Sequence, residues 1–293
     1  VNQGTAVADY VPGAGYIAAL LPNGGQEALD YSVDYTSWTV GGLYKLTENT
    51  SIFVRTSKGN RFNSDRQTYA GNFAGDGSLT QAGEASAVDE VNQTEIGIKH
   101  RGELGEGVYS VELTFLDGDF SQNTFEIDGS GTRCPGGAGT CVLSNEFKSQ
   151  GFELYGTMAW ERLSLISTAT YTDAEVKGSA DAGFSAAERI PEFQYSFSGQ
   201  YDFNKWLSGG LSVTGQTELI NGGRDWDGVN TVNGFARIRP FENFVIGLDV
   251  YNVLDDIAFR GGGGISDESG TPIVGTGSTV LGRTARASLT YEF

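Results

Sequence analysis

The feature that most constrains this chain is an alternation of apolar and polar residues with period two, which repeats from Asp30 onward. Successive side chains of a β-strand point to opposite faces, so this pattern predicts strands with one apolar and one polar face. On the last strand the apolar side chains are Ala285, Ala287, Leu289, Tyr291 and Phe293. Eleven such strands are predicted, at about 31–46, 50–63, 91–101, 107–128, 146–161, 162–176, 189–203, 206–219, 229–239, 243–255 and 279–293.

The connections between these strands alternate in length. Short turns fall near 46–51, 102–107, 160–163, 203–207 and 240–243. Long loops fall at 64–90, 129–145, 177–189, 220–228 and 256–279. A water-soluble β-sandwich also has alternating strands, but it has no reason to keep this rhythm over five hairpins. Short turns on one rim and long loops on the other are typical of outer-membrane barrels.

Aromatic side chains are concentrated near the short turns, where they predict a girdle at the level of the lipid headgroups. They are Trp160, Phe203, Trp206, Phe241, Phe244, Tyr291 and Phe293. The longest apolar run, at 16–21, is much shorter than the ~20 residues that a membrane-spanning helix needs. The predicted fold class is therefore all-β, a transmembrane antiparallel up-and-down β-barrel.

Composition argues against two classes of function, nucleic-acid binding and enzymatic catalysis. The chain has 37 acidic and 19 basic residues, for a net charge of −18, so it lacks the basic surface of a nucleic-acid-binding protein. Its 43 glycines and 6 prolines suit strands, turns and open loops. A barrel lipase or protease would need a general base beside a nucleophile. The single histidine, His100, lies beside Arg101 near a short turn, so we expect no enzyme and no cofactor.

The two cysteines, Cys134 and Cys141, lie in the glycine-rich stretch CPGGAGTC. A metal site would need a second cysteine pair or histidines, so a local disulfide is the preferred interpretation. A disulfide indicates an oxidising compartment such as the periplasm or the cell surface. Asp225 and Asp227 could offer oxygen ligands to Ca²⁺, but their spacing is not specific, and no metal site is predicted.

From Trp38 to Phe293 the order of segments resembles the C-terminal half of the barrel of TonB-dependent outer-membrane receptors. Five stretches carry the resemblance: YKLTENTSIFVRTSKGNRF, TEIGIKHRGELGEGVYSVELTFLDGDFSQNTF, FKSQGFELYGTMAWERLSLISTATYTDAEV, VYNVLDDIAFRGGG and GRTARASLTYEF. Each motif alone is weak, whereas five in the family's order and hairpin spacing are specific. The resemblance implies that Tyr291 and Phe293 form the terminal aromatic signal that the barrel-insertion machinery reads.

The resemblance also implies a location in the outer membrane of a Gram-negative bacterium and a role in active import of a nutrient, either a siderophore, cobalamin or an oligosaccharide. The implied partners are outer-membrane lipid, the ligand, an N-terminal plug domain, TonB acting through that plug, and further barrel strands. A plug and a TonB-binding box are not visible in this sequence. A receptor of this kind has 22 strands, so we expect half of a barrel at 31–293 and an extracellular loop segment at 1–30.

Candidate ligand contacts lie in the loop sequence NGGRDWDG, which contains Arg224, Asp225, Trp226 and Asp227. Charged and aromatic side chains together suit a sugar or a metal chelate, although a solvated loop tip has the same composition. Polar-face residues could line the pathway or brace the plug and neighbouring strands. They are Arg237, Arg239, Arg283, Arg286, Asp249, Glu112 and Glu153.

A self-contained porin or adhesin with twelve strands is the alternative. Residues 9–22 would have to supply its twelfth strand. That stretch contains Pro12, two glycines and little alternation, which are unfavourable in a paired strand.

Overall fold

The structure is a computed structural model that describes residues 4–11, 15–22, 31–63, 77–127, 140–178, 183–221, 223, 225–256, 259–266, 272–279 and 281–291. The strands are β1 (Gly4–Val11), β2 (Gly15–Pro22), β3 (Trp38–Lys45), β4 (Thr50–Phe62), β5 (Val88–Leu104), β6 (Gly107–Ile127), β7 (Thr140–Trp160), β8 (Leu163–Lys177), β9 (Ser185–Ala186), β10 (Phe193–Asn204), β11 (Leu207–Gln216), β12 (Leu219–Ile220), β13 (Asp225–Trp226), β14 (Val229–Phe241), β15 (Phe244–Tyr251), β16 (Phe259–Ser266), β17 (Pro272–Thr279) and β18 (Thr284–Tyr291). A short helix, α1, spans Gln81–Ala85.

Eleven of these strands form one antiparallel sheet in the order β3-β4-β5-β6-β7-β8-β10-β11-β14-β15-β18, and β9 pairs with β8. Strands that are neighbours in this sheet are also consecutive along the chain among its eleven strands. This confirms the predicted up-and-down arrangement. The sheet is open, because β3 and β18 stand at its two ends and do not pair with each other.

Strand register determines which residues of neighbouring strands share a face. Phe197 of β10 pairs with Ser167 of β8 and with Val213 of β11. Ser198 pairs with Ser212, one step along the same strands. We call the face that carries Phe197 the apolar face, and the face that carries Ser198 the polar face.

The connections at the two ends of the strands differ in length, as the sequence predicts. At one end, which we call the short end, successive strands are joined by 46–49, 105–106, 161–162, 205–206 and 242–243. At the opposite end, which we call the long end, the connections are 63–87, 128–139, 178–192, 217–228 and 252–283. Gly105 has φ +63° and Glu161 has φ +40°, so these two tight turns use the left-handed backbone conformation.

Large apolar side chains lie exposed on the apolar face rather than in a core. Leu113 is 43% exposed, Phe115 50% and Leu211 57%. Of the described residues, the buried apolar ones are Ala87, Ala187 and Val229, in or next to the long-end connections. Among the described residues, no helix has the length and apolar character to cross a membrane. A face of this kind is stable when lipid covers it.

The apolar face ends along one cross-strand row. Ile96, Phe115, Phe152 and Tyr171 form the last apolar row, and Thr94, Asp117, Gln150 and Asp173 form the next row toward the long end. Gln150 Nε2 donates to Asp117 Oδ1 at 2.8 Å within that polar row. Between the short turn and Asp117, strand β6 has the ~9–11 residues that a tilted strand needs to cross a membrane. The strands continue beyond this row into the long-end connections.

The long-end connections contain more regular structure than the sequence indicates, so the loop bounds at 64–90, 129–145, 220–228 and 256–279 are wrong in part. Strand β5 begins at Val88 and β7 at Thr140, and β12–β13 and β16–β17 form small two-stranded sheets. In α1, Thr80 Oγ1 accepts a hydrogen bond from the backbone N–H of Gly83 at 3.2 Å and so stabilises the first turn.

Residues 4–11 and 15–22 form strands, within the segment that the sequence predicts as a loop. Strands β1 and β2 pair with each other from Gly4 with Pro22 to Val11 with Gly15, in a sheet of their own. They therefore do not supply the twelfth strand that a self-contained porin or adhesin requires.

Candidate functional site

The predicted ligand loop forms a compact hairpin at the long end. Asp225 and Trp226 make up β13, which pairs with β12, and Trp226 Nε1 donates to the carbonyl oxygen of Asn221 at 3.1 Å. Asp225 and Asp227 are exposed, and Trp226 is half-buried. Arg224 lies outside the described residues, so its predicted role stays a prediction.

A neighbouring segment holds this hairpin in place. The backbone N–H of Arg189 donates to the carbonyl oxygen of Ile220 at 2.6 Å, and Arg189 Nε donates to Asn221 Oδ1 at 2.9 Å. Glu188 Oε1 accepts from the backbone N–H of Gly223 at 3.0 Å. Arg189 itself has φ +66°, an unusual conformation for a residue with a side chain. The hairpin is thus tied to the connection before β10 through several hydrogen bonds.

A cavity of about 450 Å³ lies between the hairpin and the ends of β8, β10 and β11. Four carboxylates line it: Asp173, Glu192, Glu218 and Asp225. Thr172 and Thr217 add hydroxyl groups, and Ile190 and Leu219 add apolar surface. Such a lining can accept hydrogen bonds from ligand hydroxyl or amide groups and favours cationic groups.

Sequence reasoning found one of these four carboxylates, Asp225, and missed Asp173, Glu192 and Glu218 as site residues. These three come from different segments of the chain: Glu192 directly precedes β10, Glu218 follows β11, and Asp173 lies in the part of β8 beyond the last apolar row. Their common position near the long end of the sheet is the signal that could have grouped them.

The polar face carries ion pairs between neighbouring strands. Arg237 Nη2 is 2.6 Å from Asp249 Oδ1, and Lys99 Nζ is 2.9 Å from Glu112 Oε2. Arg55 pairs with Glu95 in the same way. These contacts bind β14 to β15, β5 to β6, and β4 to β5, which supports the bracing role for Arg237, Asp249 and Glu112.

The other candidates are held less firmly, and Arg283 lies before β18 begins, outside the sheet. Arg239 Nη1 lies 3.5 Å from Ser208 Oγ, and Arg283 Nη2 lies 3.9 Å from Asp255 Oδ2. Arg286 is the register partner of Asp249 on β18. Glu153 is the register partner of Thr114 on β6 and of Thr170 on β8.

The only histidine of the chain lies on the apolar face near the short end. His100 Nδ1 is 2.8 Å from Thr50 Oγ1, and Nε2 is 3.1 Å from Tyr109 Oη. Both ring nitrogens therefore have hydroxyl partners in neighbouring strands. Among the described residues, no group of three or more His, Cys, Asp or Glu side chains is arranged to hold a metal ion.

The remaining predicted residues are only partly described. Cys141 lies on β7, whereas Cys134 lies outside the described residues, so the disulfide stays a prediction. Tyr291 ends β18 and is 58% exposed, while Phe293 lies outside the described residues. The short-end aromatics Trp160, Phe203 and Phe241 are 43%, 52% and 74% exposed, in agreement with the predicted girdle.

Comparison with known proteins agrees with this architecture. No curated protein matches the sequence. Among solved structures, the ferric-catecholate import receptor Fiu of E. coli K12 superposes with a TM-score of 0.65 at 17% identity, over 88% of this chain and 35% of that one. The ferripyoverdine receptor of the Pseudomonas aeruginosa outer membrane gives a TM-score of 0.63 at 16% identity, over 87% and 32%. The siderophore receptor PiuA of Acinetobacter baumannii gives 0.61 at 16%, over 87% and 35%.

At these identities the likeness shows the fold. The chain spans about a third of the length of these three structures. The family model "TonB dependent receptor-like, beta-barrel" matches residues 12–253, which is most of the sequence. Members of that family are outer-membrane proteins, which agrees with the exposed apolar face and the two unequal rims. This chain belongs to the family of TonB-dependent receptor-like β-barrels.

Proposed function

We propose that this chain forms part of the wall and the extracellular loops of an outer-membrane receptor that actively imports a nutrient ligand. The observation that carries the proposal is the open two-faced sheet of eleven strands in a chain of this family. A sheet edge in lipid would leave backbone N–H and C=O groups without partners, at a cost of several kcal/mol per group. Strands β3 and β18 therefore need further strands beside them.

In this proposal the barrel has about 22 strands in all, with residues 31–293 as half of it. Strand β3 starts at the long end, so the segment that leads into it, with residues 1–30, is assigned to the extracellular side. A plug domain fills the barrel, and TonB acts on that plug to open the pathway. Outer-membrane lipid covers the apolar face.

The proposed ligand site is the long-end cavity, which Asp225 lines, together with the adjoining loop residues Arg224, Trp226 and Asp227 as further contacts. Carboxylates, hydroxyls and an aromatic ring suit a ligand rich in hydrogen-bond donors, such as a siderophore chelate, cobalamin or an oligosaccharide. The solved structures named above are receptors for ferric catecholate, ferripyoverdine and a siderophore by their own descriptions. This favours a siderophore as the first ligand to test.

The test is uptake by cells that express the receptor containing this chain. Labelled ferric siderophores, cobalamin and oligosaccharides are supplied to the parent strain, to a strain that lacks the receptor and to one that lacks TonB. The proposal predicts that uptake of one ligand requires both proteins. Uptake that depends on the receptor but continues without TonB would indicate a passive porin instead.

The loop assignment is tested separately with Asp225→Asn and Asp227→Asn, which keep the size of the exposed side chains. We expect weaker ligand binding with an intact barrel. Glu242→Gln, in the short turn between β14 and β15, is the matched control because it removes one exposed carboxylate at the opposite end. Equal binding by all three variants would exclude the hairpin as the ligand site.

A further inference from the structure

Three basic side chains lie together on the polar face at the short end, in what we call the basic corner: Lys45 of β3, and Lys99 and Arg101 of β5. Ser51 of β4 pairs with Lys45 on one side and with Lys99 on the other, so the two lysines lie in one cross-strand row. Two strand spacings put their Cα atoms roughly 10 Å apart. All three side chains line a cavity of about 390 Å³.

Among the described residues, the basic corner carries more positive charge than its neighbours neutralise. Lys99 is fixed, because its Nζ lies 2.9 Å from Glu112 Oε2 and 4.9 Å from the centre of the Phe53 ring. Lys45 and Arg101 are exposed, and no described carboxylate lies within 4.0 Å of either of them. The cavity contains two acidic residues, Glu48 and Glu112, against the three bases. This excess stands out in a chain with 37 acidic and 19 basic residues.

The chemistry of the corner suits carboxylates. A concave site lined by one sign of charge raises the local concentration of ions of the opposite sign. Arg101 presents a planar fork that can bind a carboxylate through two hydrogen bonds, and Lys45 presents a mobile ammonium group. Ser51 and Ser110 line the same cavity and add hydroxyl groups, although Ser110 Oγ is already bonded to Thr157 Oγ1 at 2.7 Å.

We propose that the basic corner is the docking surface for an acidic segment of the domain that fills the barrel. The inference rests on the proposed function, because it requires a closed barrel with a domain inside. The corner lies on the polar face, which barrel closure turns inward and away from lipid phosphates. It also lies at the short end, opposite the carboxylate-lined cavity of the ligand site, so its anion is a part of the receptor rather than the imported ligand.

The experiment uses the full-length receptor in isolated outer membranes, treated with a carbodiimide that joins lysine amines to carboxylates in direct contact. Mass spectrometry of the digested protein then identifies the residue joined to Lys45. We expect an Asp or Glu from outside the barrel strands, and loss of this cross-link in Lys45→Gln. Lys205→Gln is the matched control, because Lys205 is an exposed lysine in the short turn after β10 and lies outside the basic corner. This control should keep the cross-link.

A second variant, Lys45→Glu combined with Arg101→Glu, tests the same surface by repulsion. We expect the domain inside the barrel to become accessible to added protease, while the barrel keeps its heat-modifiable migration in gels. Cross-links from Lys45 confined to barrel carboxylates, either Glu48 or those of a further strand beside β3, would overturn the docking surface and leave the proposed function standing. Unchanged protease protection in a receptor that still imports its ligand would do the same. Failure of TonB-dependent uptake would instead remove the proposed function itself.

Discussion

Arg237 and Asp249 form a 2.6 Å ion pair across β14 and β15, and the Asp249 side chain is 12% exposed. The same guanidinium donates from Nη1 to the carbonyl oxygens of Ala236 and Leu248, at 2.9 and 3.3 Å. One arginine therefore joins a carboxylate and two backbone carbonyls close to the β18 end of the sheet. The ion pair therefore holds β14 and β15 together on the polar face of the sheet.

Replacement of Asp249 by Asn should destabilise the barrel, because the arginine keeps its charge and loses its partner. We expect a loss of about 1–3 kcal/mol in the free energy of unfolding. Urea titration of the refolded receptor in lipid vesicles, followed by tryptophan fluorescence, measures this loss. Asp202→Asn is the control, since its carboxylate accepts only a 3.3 Å hydrogen bond from Gln200 among the described contacts. Equal losses in the two variants would contradict the bracing role.

Gly97 is predicted to be intolerant of a side chain. A Cβ atom at this position would overlap the Phe53 ring and would lie 2.9 Å from the carbonyl oxygen of Leu113. Gly97→Ala must displace the aromatic ring or the backbone, so we expect a loss of roughly 1–3 kcal/mol in stability. Gly42→Ala, on β3, is the matched control because a Cβ there meets no atom within 4 Å. The same urea titration measures both variants, and a stable Gly97→Ala receptor would contradict the packing described.

The apolar face should reject charge far more strongly than the polar face. Leu211 lies on the apolar face of β11, and Gln200 lies next to it on the polar face of β10. Leu211→Arg should cost about 2–4 kcal/mol if its position is near the middle of the bilayer. Gln200→Arg should cost much less, because its side chain would face the interior of the proposed barrel rather than lipid. Refolding yield into vesicles and urea titration together measure the difference, and similar costs would argue against lipid contact on either side.

The Lys58–Glu90 pair beyond the apolar face gives a prediction about pH. Hydrogen bonds to Glu90 from Lys58, and secondarily from Asn92, hold the pKa of its carboxyl below the ordinary value. A lowered pKa means that the contact stabilises the fold above the unfolded pKa of the group and is lost as pH falls through the folded pKa. Carboxyl-carbon NMR should show this lowered pKa in the folded receptor. Lys58→Gln should raise it toward the ordinary value, and an unchanged titration would contradict the assignment.

The sequence predicted the eleven strands of the sheet and the two unequal rims because alternation and turn length are local properties. The pairing of Phe197 with Val213 and of Ser198 with Ser212 follows once the short turn between β10 and β11 fixes the register. The position of the apolar boundary was not predicted. This boundary is a cross-strand row that includes Thr94, Asp117 and Gln150. These residues lie side by side only because of the strand register, which the sequence pattern does not show.

The structure at the long end was harder to predict. The β1–β2 hairpin contains the run YIAALL, which has no alternation to indicate a strand. The β12–β13 pair consists of two residues on each side, too short for any periodicity. The cavity combines Asp173, Glu192 and Glu218 from separate segments, and only the folded sheet brings them together. Trp226 and Asp225 could be proposed because they stand side by side in the sequence.

We expect one face of this sheet to contact lipid and the other to face a water-filled or protein-filled interior. The most direct measurement is a spin-label scan of positions 193–204 along β10 in the full-length receptor, reconstituted in lipid bilayers. We predict that odd positions such as 197 and 201 are accessible to oxygen dissolved in lipid and protected from a water-soluble nickel complex. Even positions such as 198 and 200 should be protected from oxygen dissolved in lipid. Equal accessibility on both faces, or exposure of the odd positions to the nickel complex, would contradict the claim.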